Sequence, residues 1–83
     1  MKFIFRMEED GYELRYWNEI DEGIGELLVE SWDLHQIYSY LIDNHLHLPF
    51  STLEKADKEL ENKCFIILSE DPKLNKELVI FNE

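Results

Sequence analysis

The sequence predicts a small single domain of the α+β class, with an antiparallel sheet, two helices packed on it and the order βββααββ. Three observations carry that prediction. Apolar and polar residues alternate through residues 2–20, with one turn signal in between. Leu34, Ile37, Tyr38 and Leu41 then recur at three- and four-residue steps, which is one face of an α-helix. A helix-start signature, Ser51-Thr52-Leu53-Glu54, is followed by two short apolar runs at 64–68 and 78–81. At 83 residues and 45% apolar, the chain can build one small core.

Taken in order, residues 2–8 place Phe3, Phe5 and Met7 on one face and Lys2, Ile4, Arg6 and Glu8 on the other, as a half-buried strand does. Glu9-Asp10-Gly11 supplies the turn, with Gly11 suited to a positive φ. Residues 12–20 alternate again, with Tyr12, Leu14, Tyr16 and Ile20 facing opposite to Glu13, Arg15, Trp17 and Glu19. Residues 21–25 form a second turn. Its lone Gly-Ile-Gly follows two acids that would repel phosphate, so the glycines are assigned to turn geometry. A third strand covers residues 26–30.

Ser31 is the expected N-cap of the first helix, with Asp33 complementing the dipole in the first turn. Asn44 is expected to end that helix in a left-handed conformation. After the connector 45–50, Ser51 and Glu54 form a capping box for a second helix over 52–62. Its apolar stripe is Leu53, Ala56 and Leu60, and its surface carries Glu54–Lys58 and Glu59–Lys63 pairs. Residues 64–68 read as a strand covered on both faces, 69–76 as a polar loop with Pro72, and 78–81 as the returning strand.

Charge is the unusual quantity. Nineteen acids against eight bases give −11 and a pI near 4.5. Such a surface repels nucleic acid and anionic membrane and attracts basic protein surfaces. Residues 8–33 hold ten of the acids and one base, Arg15. Glu13, Glu19, Glu26 and Glu30 are expected on the outer face of the three-stranded sheet, with Asp21 and Glu22 along its rim. Carboxylates spread over a small rigid body can imitate the phosphates of DNA and occupy a basic groove. The partner-binding set is therefore Glu13, Arg15, Trp17, Glu19, Asp21, Glu22, Glu26 and Glu30. In it Arg15 makes a local salt bridge and Trp17 is an outward apolar anchor. Trp32 lies off the helix stripe and is assigned to a core edge.

Other chemistry finds little support. His35, His45 and His47 include an H-x-H spacing, but nothing compels a third ligand, and His45 reads as a helix-end residue. No metal and no cofactor is expected. No nucleophile stands beside a base and no carboxylate has an apolar setting, so no catalytic residue is assigned and the protein is read as a non-enzyme. Cys64 is the single cysteine, which excludes an internal disulfide and suits a reducing cytoplasm. Neither a signal peptide nor a membrane-spanning run is recognised.

Two resemblances add to this reading. Residues 37–81, with helix, turn, capped helix ending K-E-L-E-N-K-C-F-I and then a hairpin, resemble the second half of a winged helix-turn-helix domain. That resemblance implies a regulatory or adaptor protein acting through protein contacts, or as a homodimer. The acids Glu54, Asp57, Glu59 and Glu61 on the would-be recognition helix, and Glu70 and Asp71 on the wing, depart from a DNA-reading version. In size, acidity and lack of catalytic residues the chain is similar to phage-encoded inhibitors of host defence nucleases, the anti-CRISPR and anti-restriction proteins. That resemblance implies a DNA mimic that binds a nucleic-acid-handling enzyme or complex.

Overall fold

The two alternating runs close into a hairpin of β1 (Lys2–Glu8) and β2 (Gly11–Asn18), with Phe3 opposite Tyr16 and Phe5 opposite Leu14. The computed structural model describes residues 2–60, 65–70 and 79–81. Gly11 adopts φ +132° at the tip, as its sequence context calls for. It also meets a second demand that the sequence does not show. A Cβ there would stand 2.5 Å from the Ser31 carbonyl oxygen and 2.9 Å from Trp32 Cα, so the turn is pressed against the far end of β3 (Gly23–Ser31).

β3 begins three residues before the expected 26–30 strand, and β2 stops at Asn18 instead of running on to Ile20. The turn is therefore 19–22, and Glu22, not a glycine, takes the left-handed φ of 47°. Asn18 makes this possible. Its Oδ1 accepts from the backbone N–H of Ile20 (3.1 Å) and Asp21 (3.2 Å), a side-chain substitute for turn hydrogen bonds. Ile20, expected inward, sits on this turn and is 94% exposed.

The β2–β3 register runs Leu14–Val29, Arg15–Leu27 and Trp17–Ile24, so β3 carries extra residues at two irregularities. Gly25 allows one of them, because a Cβ there would lie 2.6 Å from the Tyr16 carbonyl oxygen. On the other side of β1 lies β4 (Phe65–Ser69), with Phe3 opposite Leu68 and Phe5 opposite Ile66. The antiparallel sheet thus runs β3-β2-β1-β4, with the short β5 (Val79–Phe81) added on β4.

Two helices supply the other layer. α1 (Leu34–Asp43) buries Ile37 and Leu41, and α2 (Phe50–Glu59) buries Thr52, Leu53 and Ala56. The apolar members of this set share one core cluster with Phe3, Phe5, Leu14, Ile66 and Leu68. The helices therefore cover the Phe3–Phe5 face of the sheet. Tyr16 stacks on Phe3 and Tyr12 on Phe5, with centroids 5.7 and 5.6 Å apart, extending that core.

The caps differ from expectation in instructive ways. Asp33, not Ser31, is the N-cap of α1, its Oδ1 accepting from His35 N–H at 2.9 Å. Ser31 remains in β3, where its Oγ accepts from Asp33 N–H. At the other end Asn44 has φ −102°, and His45 takes the left-handed position with φ 55°. His45 N–H donates to Ile42 O (3.1 Å) and Leu46 N–H to Leu41 O (2.8 Å), a Schellman termination.

The Ser51 capping box does not form. α2 starts earlier, with Pro49 as N-cap, and Phe50 lies against α1, its ring 4.5 Å from that of His35 and 5.4 Å from that of Tyr38. Phe50 is half-buried there, and an aromatic contact of this kind can offset a capping box worth about 1 kcal/mol. The expected elements around Cys64, Lys63, Pro72 and Leu78 lie outside the described residues. Among the described residues, no helix is long and apolar enough to cross a membrane.

Candidate functional site

Of the acids expected on the outer face, the side of the sheet turned away from the helices carries Glu13 and Glu30. Residues opposite one another in an antiparallel ladder share a face, so Glu13–Glu30, Arg15–Leu27 and Trp17–Ile24 line up on it. The two irregularities break the simple alternation of β3, so the ladder puts Ile24, Leu27 and Glu30 on this face and does not place Glu26 there as expected. The electrostatics of the face are less simple than a row of free carboxylates.

Glu13 is only 5% exposed, which corrects its assignment as a charge open to a partner. An ionised carboxylate so placed needs cations. Arg15 Nε donates to Glu13 Oε1 at 2.7 Å, and Arg6 Nη2 approaches the same oxygen at 3.1 Å while bonding Glu8 Oε1 at 2.7 Å. The salt bridge expected of Arg15 is thus present, and its guanidinium also reaches the Gly25 carbonyl oxygen at 3.3 Å. The hydrogen bond to Glu13 raises the Arg15 pKa still further above its ordinary value, so this cation is permanent. Glu13 and Arg15 form the frame of the face, not its contact points.

Carboxylate oxygens of Glu8, Glu13 and Glu30 lie within 4.8 Å of one another. Such oxygens can ligate a hard cation, but the guanidinium N–H groups of Arg6 and Arg15 already occupy Glu8 and Glu13. Arg6 and Arg15 are two cations beside three anions. Among the described residues Glu30 makes no direct ion pair, although its charge acts on Arg15. Among the described residues the histidines do not gather into a metal-ligating group. His35 stacks on Phe50, His45 terminates α1 and His47 is exposed.

Glu19, Asp21, Glu22, Glu26 and Glu30 are all exposed, as are Glu8, Glu9, Asp10 and Asp33. Glu19 belongs to the β2–β3 turn and not to the strand. Trp17 is half-buried within the face.

Trp32 reverses its assignment to the core: it is 76% exposed. A residue just before an N-cap often packs on the fourth helical residue, here Ile37, but Ile37 is fully buried in the core without needing that cover. The indole borders a polar hollow of about 390 Å³ lined by Glu8, Asp10, Gly11, Tyr12, Glu30 and Ser31. Sequence periodicity misses this site because its walls come from the β1–β2 turn and the end of β3. The one local signal is a bulky aromatic between two capping residues, Ser31 and Asp33. A larger apolar hollow of about 550 Å³ lies over the α1–α2 connector, bordered by Tyr38, Ile42, Leu46 and Pro49.

The fold and this face define a small acidic α+β protein with an ion-paired sheet surface rimmed by open carboxylates. Comparison with models of protein families, with curated proteins and with solved structures finds no match to the chain.

Proposed function

We propose that this chain is a non-catalytic binding protein whose acidic β1–β3 surface docks on the basic nucleic-acid groove of a partner protein and blocks it, in the manner of anti-CRISPR and anti-restriction inhibitors encoded by phages. One observation carries the reading. Nine of the ten carboxylates in residues 8–33 are exposed, and Glu13 engages the single cation of that segment, Arg15. Apart from Glu8, which pairs with Arg6, the negative charge is therefore directed outward, which favours steering of a basic partner.

The docking set follows from exposure: Glu19, Asp21, Glu22 and Glu26 around the β2–β3 turn, with Glu30 and Asp10 at the other end of the ribbon. Exposed Ile20 and Ile24 supply apolar contact among the first group. The winged-helix reading has less support. β4 pairs with β1 inside the sheet, so the hairpin of β4 and β5 is built into the body of the domain and not held out as a wing.

The experiment is a tagged pull-down from bacterial lysate, washed at low and high salt, with retained proteins identified by mass spectrometry. The expected result is a nucleic-acid enzyme that is released by salt or by competing DNA. Its association rate should fall at least tenfold for the double variant Glu19→Lys, Glu26→Lys. A partner that resists salt and binds the double variant equally well would overturn the reading.

A further inference from the structure

Trp32 is the least explained side chain in the structure. An indole with 76% of its surface in water contributes little to the core, yet its backbone is held firmly in place. Asp33 beside it caps α1, Ser31 before it accepts a hydrogen bond from Asp33 N–H, and the glycine turn at Gly11 is pressed against its Cα. An exposed aromatic on a fixed backbone suits a binding anchor, because no main-chain ordering is needed on contact.

The chemistry around it selects the ligand. The hollow of about 390 Å³ beside the indole is bordered by Glu8, Asp10 and Glu30 and by no cation. Arg6 takes up part of the Glu8 charge, whereas Glu30 and Asp10 have no ion-pair partner among the described residues. A planar cation that stacks on an indole and bonds two carboxylates fits this combination better than a compact ammonium does. A second copy of the chain is disfavoured by its charge of −11. A metal ion would have to displace guanidinium groups from Glu8 and Glu13.

We propose that the hollow beside Trp32 receives one arginine side chain of the basic partner, its guanidinium stacked on the indole and hydrogen-bonded to Glu30 and Asp10. The inference rests on the acidic-surface reading and makes Trp32, rather than Trp17, the anchor of that surface.

The test uses the full ¹⁵N-labelled chain at low ionic strength, titrated with N-acetyl-arginine amide, N-acetyl-lysine amide and uncharged N-acetyl-norleucine amide. The arginine amide should shift the Trp32 indole N–H and the Asp10 and Glu30 amides saturably, and more tightly than the lysine amide. Trp32→Ala should weaken it roughly two- to five-fold, the span expected of an exposed cation–π contact. Asp10→Asn with Glu30→Gln should weaken it further, and both variants should keep the wild-type circular dichroism. Equal shifts with norleucine amide would overturn the proposal. So would tighter shifts of the same signals with Mg²⁺ at matched ionic strength. A hexa-arginine peptide separates the two readings. Salt-sensitive binding that Trp32→Ala leaves unchanged would remove the anchor and keep the acidic surface; no binding at low salt would remove both.

Discussion

Glu13 on β2 stands directly opposite Glu30 on β3, two carboxylates facing each other across the ladder on one side of the sheet. Like charges so placed are destabilising. Arg6 and Arg15 pair directly with the inner one, Glu13, whereas the outer one is exposed and reaches Arg15 only through longer-range attraction. The protein therefore carries a local electrostatic cost on the surface proposed to bind.

Removing that repulsion should stabilise the fold. Glu30→Gln is expected to gain about 0.2–1 kcal/mol, seen as a higher midpoint of urea unfolding with an unchanged slope. The same variant should bind a basic partner more weakly, so stability and binding move in opposite directions.

Withdrawing the inner cation should do the reverse. Arg15→Met keeps the stem and leaves Glu13, 5% exposed, with Arg6 alone. The expected loss is about 1–3 kcal/mol. Glu13→Gln in the same background should recover part of it, and a double-mutant cycle on the urea midpoints measures the coupling.

The β1–β2 turn gives a steric prediction. Gly11→Ala combines φ +132° with a Cβ 2.5 Å from the Ser31 carbonyl oxygen, so a loss of at least about 1–3 kcal/mol is expected. Gly23→Ala meets only the Asp21 carbonyl oxygen at 3.8 Å and should shift the thermal midpoint little in either direction. Comparable losses at both glycines would contradict this account of Gly11.

Tyr12 gives a pH dependence. Burial, and then the Asp57 carboxylate near its phenol, raise its pKa above the ordinary value of 10.0. The folded state holds the phenolic proton more tightly than the unfolded chain does. Its contribution is complete below pH 10 and is lost as pH rises through the folded-state pKa. Tyr12→Phe should therefore flatten the alkaline decline in stability above about pH 10, measured by urea midpoints at each pH.

Much of the secondary structure is legible locally. β1 has the bounds that its alternation implies, and the apolar stripe Leu34, Ile37, Tyr38 and Leu41 faces the core. The misread boundaries share one cause: a distant neighbour outweighed a local signal. Phe50 lies against His35 and Tyr38 on α1, and α2 starts ahead of the Ser51 capping box. Asn18 organised the 19–22 turn, so Glu22 could take a conformation usually left to glycine. The candidate site was legible in its sign and in the exposure of Glu19, Asp21, Glu22, Glu26 and Glu30. Glu13 and Trp32 exchanged roles, the acid buried and the indole exposed.

The sequence by itself determined the strand and helix periodicities, the antiparallel α+β class, the sign of the charge and its concentration in residues 8–33. Those follow from residue order alone, because spacing and formal charge are properties of the unfolded chain. Only the tertiary structure decided which of those charges face solvent. Register set Glu13 against Glu30, folding brought Arg6 and Arg15 to Glu13, and the β1–β2 turn closed a hollow beside Trp32. Exposure and ion pairing depend on neighbours distant in sequence, and no local period encodes them.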